Sequence, residues 1–223
     1  MNQPTFVDRF SQCVDVRPDD TALVIIDMQN ATGNRSMGLG ALLAAEGKAE
    51  SADYRFSRIE NVLVPNISRM AAAFRKADAP VIYVTYGAHL PDASDVPDHI
   101  AGIVKATNNI AGRPEHDIVS QLTPEPGELV LNKTTMGAFR STGIDSHLKA
   151  MGVRTIVCVG VSTNNCVGMT AMEACDSQYH VVVVDDATGT DSDDMQNATI
   201  TMLKRLWARI MSTDEVIASL GVD

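Results

Sequence analysis

The sequence predicts an α/β protein built on an open, doubly wound, mostly parallel sheet. Two observations carry this. Short, nearly continuous runs of Val, Ile and other β-branched residues recur along the chain, and stretches with helical apolar spacing lie between them. A chain of 223 residues that is 45% hydrophobic has enough apolar material for one substantial core, so residues 1–223 read as a single domain.

The first run is Ala22-Leu-Val-Ile-Ile-Asp27, followed by Val81-Ile-Tyr-Val-Thr-Tyr86, Glu128-Leu-Val-Leu-Asn132, Thr155-Ile-Val-Cys-Val-Gly-Val161 and Val181-Val-Val-Val-Asp185. A half-exposed strand alternates apolar and polar residues, whereas these barely alternate. They therefore read as parallel strands buried on both faces. Between the first two, residues 57–77 place Ile59, Val62, Leu63, Ile67, Met70, Ala71 and Phe74 at helical spacing. Residues 142–151, 164–176 and 192–207 read as helices on similar grounds. Strand–helix–strand repetition gives a doubly wound sheet, whose ligands bind at the carboxyl ends of the strands. Residues 33–53, rich in Gly, Ala and Glu, read as an insertion that serves as a lid or a subunit contact. Residues 88–109, with Pro91 and Pro97, read as a long loop over the same rim.

A formal net charge of −10 makes the protein repel phosphate backbones and anionic lipid, so neither nucleic acid nor membrane is an expected partner. The opening Met-Asn-Gln-Pro-Thr-Phe-Val-Asp-Arg-Phe has no basic segment leading into an apolar one, and no run approaches a membrane span, which predicts a cytoplasmic protein. Cys13, Cys158, Cys166 and Cys175 form neither a CxxC pair nor a zinc-finger spacing, so neither a structural metal nor a disulfide is expected.

Three reactive side chains fall at the carboxyl ends of predicted strands: Asp27, Lys133 and Cys166. Such ends share one rim, so residues distant in sequence can meet there. Cys166 lies near the start of its predicted helix, where free N–H groups and the helix dipole favour a thiolate, and Lys133 would push the same way. A carboxylate within reach could take the thiol proton and later deliver it to a leaving nitrogen. Taken singly, each residue also has a structural reading: a packed thiol, a turn-capping carboxylate, a solvated lysine.

At these positions the sequence resembles the isochorismatase-like family of cysteine hydrolases. The matching stretches are Leu23-Val-Ile-Ile-Asp-Met-Gln-Asn30, Leu131-Asn-Lys-Thr-Thr-Met-Gly-Ala-Phe139, Val159-Gly-Val-Ser-Thr-Asn-Asn-Cys-Val167 with Thr170 and Ala174, and Val184-Asp-Asp-Ala187. The resemblance implies a three-layer α/β/α fold, a homo-oligomer (dimer or tetramer), and an Asp27–Lys133–Cys166 triad. It also implies a cis Val161–Ser162 bond, with the Ser162 and Cys166 amides receiving an oxyanion. No cofactor is implied.

Within the family, enzymes that cleave the vinyl ether of isochorismate typically lack the cysteine, so Cys166 points to amide chemistry. Nicotinamidases usually hold a metal through Asp-x-His after the second strand. Here that stretch is Thr85-Tyr-Gly-Ala-His-Leu-Pro-Asp92, which leaves His89 and His99 as loop histidines and no expected metal. The Asp-Met-Gln-Asn opening resembles hydrolases of small ureido and carbamoyl compounds. Gln29, Tyr86, Phe139 and Asn165 flank the motifs and are the expected substrate-binding residues. The alternatives are a nicotinamidase-like or isochorismatase-type hydrolase, a non-catalytic scaffold, and a redox sensor built on Cys166.

Overall fold

A computed structural model of the protein describes residues 10, 11 and 13–222. The opening residues 1–9, expected to carry no leader, lie outside that range. In chain order the elements are β1 (Thr21–Ile26), α1 (Asn30–Gly33), α2 (Gly38–Ala45), α3 (Asp53–Arg58), α4 (Val64–Lys76), β2 (Val81–Tyr86), α5 (Asp98–Ala106), β3 (Leu129–Lys133), α6 (Ile144–Ala150), β4 (Thr155–Val161), α7 (Gly168–Asp176), β5 (His180–Gly189), α8 (Asp193–Lys204), β6 (Arg209–Met211) and α9 (Thr213–Ser219). A π-helical turn, Ile59–Leu63, joins α3 to α4, and another, Thr163–Val167, leads into α7.

The strands form one sheet in the order β3-β2-β1-β4-β5-β6, and every pairing is parallel. The expectation of a mostly parallel sheet thus becomes an all-parallel one among the described residues. The chain winds outward from β1 to β3 on one side and from β4 to β6 on the other. Its direction of travel reverses between β1 and β4, and at such a reversal a crevice opens beyond the strand ends. β1 and β4 approach closely there. Gly160 has φ +108°, and a Cβ on it would overlap the Ile26 carbonyl oxygen, so this contact requires glycine.

Two cores explain why the runs are continuously apolar. Along β1, Leu23 and Ile25 face one cluster with Ile67, Met70 and Phe74 of α4 and Val216 of α9. Ala22, Val24 and Ile26 face a second with Leu148 of α6, Ala171 of α7 and Leu203 of α8. This is the three-layer arrangement. α4 buries Ile67, Met70, Ala71 and Phe74 at three- and four-residue spacing, and it stops where Asp78 turns left-handed (φ 53°) before Pro80. Each large side chain buried this way contributes about 1.5–3 kcal/mol.

Several expectations need revision. The helix expected over residues 57–77 starts earlier, at Asp53, and is broken by the π-helical turn. Residues 33–53, read as an insertion, are mostly helical. The long loop over 88–109 contains α5, whose Ile100 and Val104 pack with Tyr86, Ala88 and Val96 in a third, small core. β6 is only three residues long, too short for its apolar content to stand out.

Candidate active site

A cavity of about 170 Å³ opens at the reversal point, walled by Asp27, Thr32, Leu39, Arg55, Tyr86, Ile103, Met136, Val161, Ser162, Asn165, Cys166 and Asp191. Pockets for drug-sized ligands run to roughly 300–1,000 Å³, so this one suits a smaller molecule.

Asp27 follows β1 in a left-handed conformation (φ 54°) that Asp tolerates better than most residues. Its N–H donates to the Val84 carbonyl (2.8 Å), and its own carbonyl accepts from the Gln29 N–H (2.9 Å). The carboxylate is thereby fixed at the cavity floor, and the Asp27 side chain is 5% exposed. Lys133 ends β3, in register with Tyr86 of β2, and is fully buried. Its side chain spans β2 to place Nζ 2.9 Å from Asp27 Oδ2. Lys133 therefore stands behind the carboxylate rather than in the cavity wall. Cys166 sits in the π-helical turn after β4, with Sγ 3.6 Å from Met136 Sδ.

Burial raises Asp27 above the usual carboxylate range, although the Lys133 charge opposes this. Burial also works against the Lys133 ammonium, but attraction to Asp27 and Cys166 outweighs it and the lysine stays charged. The Cys166 thiol is pushed up to about 12, first by burial and then by the Asp27 carboxylate, with Lys133 pulling only partly the other way. Desolvation beside an anion thus works against the thiolate that the helix start favours.

The Val161–Ser162 peptide is cis. Ser162 and Cys166 both border the cavity, and the Ser162 hydroxyl accepts from Arg55 Nη1 at 2.8 Å. The turn that carries Cys166 is tied down from behind. Thr163 Oγ1 donates to Gln196 Oε1 (2.7 Å), and Gln196 Nε2 donates to Asp185 Oδ1 (2.9 Å).

Of the four expected pocket residues, Tyr86 and Asn165 border the cavity, whereas Gln29 and Phe139 do not. Gln29 is fully buried behind Tyr86, accepting from its N–H (2.8 Å) and donating to the His116 carbonyl (2.7 Å). Phe139 is drawn away by α7, where Glu173 accepts its N–H (2.9 Å), and its ring packs on Tyr179. His89 and His99 are exposed, and His89 Nε2 lies 3.2 Å from Asn132 Nδ2. Among the described residues no group of three or more His, Cys, Asp or Glu is placed to hold a metal ion. Arg55 and Asp191 were not foreseen, and only tertiary placement brings them to the wall.

The isochorismatase domain model matches residues 21–215. The chain belongs to the isochorismatase family. Other similarities of this isochorismatase-family chain include the ureidoacrylate amidohydrolase RutB of Variovorax paradoxus (strain S110). It is 28% identical over 217 residues, covering 91% of this chain and 82% of that one. Among solved structures, a cysteine hydrolase from Pseudomonas syringae pv. phaseolicola 1448A superposes with a TM-score of 0.76 at 22% identity, covering 98% of each chain, a likeness of fold. An N-carbamoylsarcosine amidase from Thermoplasma acidophilum superposes with a TM-score of 0.64 at 25% identity, covering 87% of this chain and 97% of that one.

Proposed function

We propose that this protein is a cysteine-dependent amidohydrolase that cleaves the C–N bond of a small ureido or carbamoyl compound through a thioester-type intermediate. One observation carries the reading most directly. Asp27 is buried on the cavity wall with Oδ2 bound to Lys133, while its Oδ1 has no hydrogen-bond partner among the described residues. A carboxylate steadied at one oxygen by Lys133 and within interaction range of the Cys166 thiol is suited to shuttling a proton. The activities named for the Variovorax and Thermoplasma relatives support the substrate class.

In this mechanism Asp27 takes the Cys166 proton as Sγ attacks the carbonyl carbon, which compensates for the raised thiol pKa. The oxyanion is received by the Ser162 and Cys166 amides. Asp27 passes the proton to the leaving nitrogen, the C–N bond breaks, and ammonia or an amine departs. Water then gives a proton to Asp27 while its oxygen attacks the acyl carbon. The C–S bond breaks, the acid is released, and the proton returns to Sγ. Lys133 holds Asp27 in place throughout.

The test is ammonia release, without added metal, from ureidoacrylate, N-carbamoyl amino acids, biuret, triuret, maleamate and nicotinamide, run beside Cys166→Ala. Turnover confined to the cysteine protein, with a covalent adduct seen by mass spectrometry, is the expected result. An active Cys166→Ala protein would sink the mechanism.

A further inference from the structure

The triad does not use Arg55, although Arg55 is a buried cation on the cavity wall. It is 8% exposed, and its guanidinium is held by three contacts: Nε to the Thr32 carbonyl (3.0 Å), Nη1 to Ser162 Oγ (2.8 Å) and Nη1 to Asp191 Oδ1 (3.1 Å). Nη2 has no hydrogen bond among the described residues. The Asp191 side chain is 71% exposed, so its charge is solvated and screened while that of Arg55 is not. A desolvated guanidinium opposite a solvated counter-ion retains attraction for a second anion. Tyr86, which also lines the cavity, adds a second unused donor, since its buried hydroxyl has no hydrogen-bond partner among the described residues.

Two spare donors, one of them a planar cation, call for an acceptor-rich anion, and a carboxylate meets the guanidinium fork best. The chain as a whole carries −10 and repels anions, so a local buried cation is needed to retain one. We infer that Arg55 is the specificity-determining residue that binds a carboxylate on the substrate, so the substrate is a small ureido or carbamoyl acid and not a neutral amide. This rests on the amidohydrolase reading above.

The experiment compares ureidoacrylate with its methyl ester, using the ratio of their kcat/KM values so that general damage to the site cancels. Arg55→Gln should lower the acid-over-ester ratio roughly 10- to 100-fold, mainly through KM, as the loss of a charged hydrogen bond predicts. Arg55→Lys should keep part of the preference, because the charge remains without the fork. Asp191→Asn, which removes the competing carboxylate and leaves Arg55 intact, should raise the ratio about twofold. An unchanged ratio in Arg55→Gln, or no preference for the acid in the parent protein, overturns the inference.

Calorimetric binding of ureidoacrylate to the Cys166→Ala protein, with and without Arg55→Gln, separates this from the chemistry. Arg55-dependent binding without turnover by the parent protein upholds the carboxylate site and fails the amidohydrolase reading. Turnover with Arg55-independent binding, or no binding at all, refutes the carboxylate site.

Discussion

The Lys133 ammonium lies 4.5 Å from the centroid of the Tyr86 ring, its cross-strand neighbour, so the lysine is held between an aromatic face and the Asp27 carboxylate. Such a contact contributes on the order of 1–2 kcal/mol once both groups are desolvated. Replacing Lys133 by Met should therefore leave Asp27 buried without its nearest counter-charge and cost about 3 kcal/mol at pH 7. The sign with pH follows from the raised Asp27. A carboxyl with a folded pKa above its unfolded one favours folding when protonated, and that benefit is lost as pH rises through the folded value. The deficit of Lys133→Met against the parent should be small near pH 5 and grow toward pH 8, as urea denaturation at the two pH values would read.

Cys166 should alkylate slowly at neutral pH, because burial and Asp27 hold it as a thiol near 12. Asp27→Asn removes the anion that raises it and keeps the Lys133 charge that lowers it. Iodoacetamide should then react faster with Cys166 at pH 8, by roughly tenfold for each unit the pKa falls, while hydrolysis is lost. Faster labelling with lost turnover distinguishes a base from a residue that merely packs. Equal labelling in both proteins would argue against electrostatic contact between the two side chains.

Tyr86→Phe removes a buried hydroxyl that has no hydrogen-bond partner among the described residues. Stability should stay within about 1 kcal/mol of the parent or rise slightly, because no hydrogen bond is lost and a polar group leaves the interior. If the hydroxyl meets substrate, KM rises several-fold while Tm holds. A fall in Tm with unchanged KM would place its function in the fold.

Gln196→Leu cuts the tie between Thr163 and Asp185 and leaves the fully buried Thr163 hydroxyl without its acceptor. The expected cost is about 1–3 kcal/mol. Since Thr163 opens the turn that presents Cys166, kcat should fall more than KM changes. Steady-state kinetics and denaturant unfolding of the same variant check both halves.

The strands that carry the sheet were legible because burial on both faces imposes continuous Val and Ile, as in Val181 to Val184. α5 was hidden because its inward stripe, chiefly Ile100 and Val104, is too short to show a period between the prolines. Asp27, Lys133 and Cys166 were readable because strand ends share a rim whatever the loops do. Gln29 and Phe139 show where that logic stops. Nearness in sequence to a strand end does not set side-chain direction, and the left-handed Asp27 and the Glu173 anchor turn both aside. Arg55 carries no signal in the chain, lying between Asp53 and Arg58 like any residue on a solvated helix face; only its hydrogen bonds to the Thr32 carbonyl and the Ser162 hydroxyl tie it to the wall.

Among the described residues β3 is one of the two edge strands of the sheet, hydrogen-bonded to β2 alone, and it delivers Lys133. Outer strands open by local fluctuations that leave the rest of a sheet intact. Peeling back a few residues at 129–133 would withdraw the ammonium and strand the carboxylate while β1, β4 and β5 remain paired. Warming should therefore silence the enzyme some degrees before the circular dichroism of the sheet collapses. Amide exchange at Leu131 and Lys133 should be faster than at Val24 or Val159, tracking the temperature at which the protein falls silent.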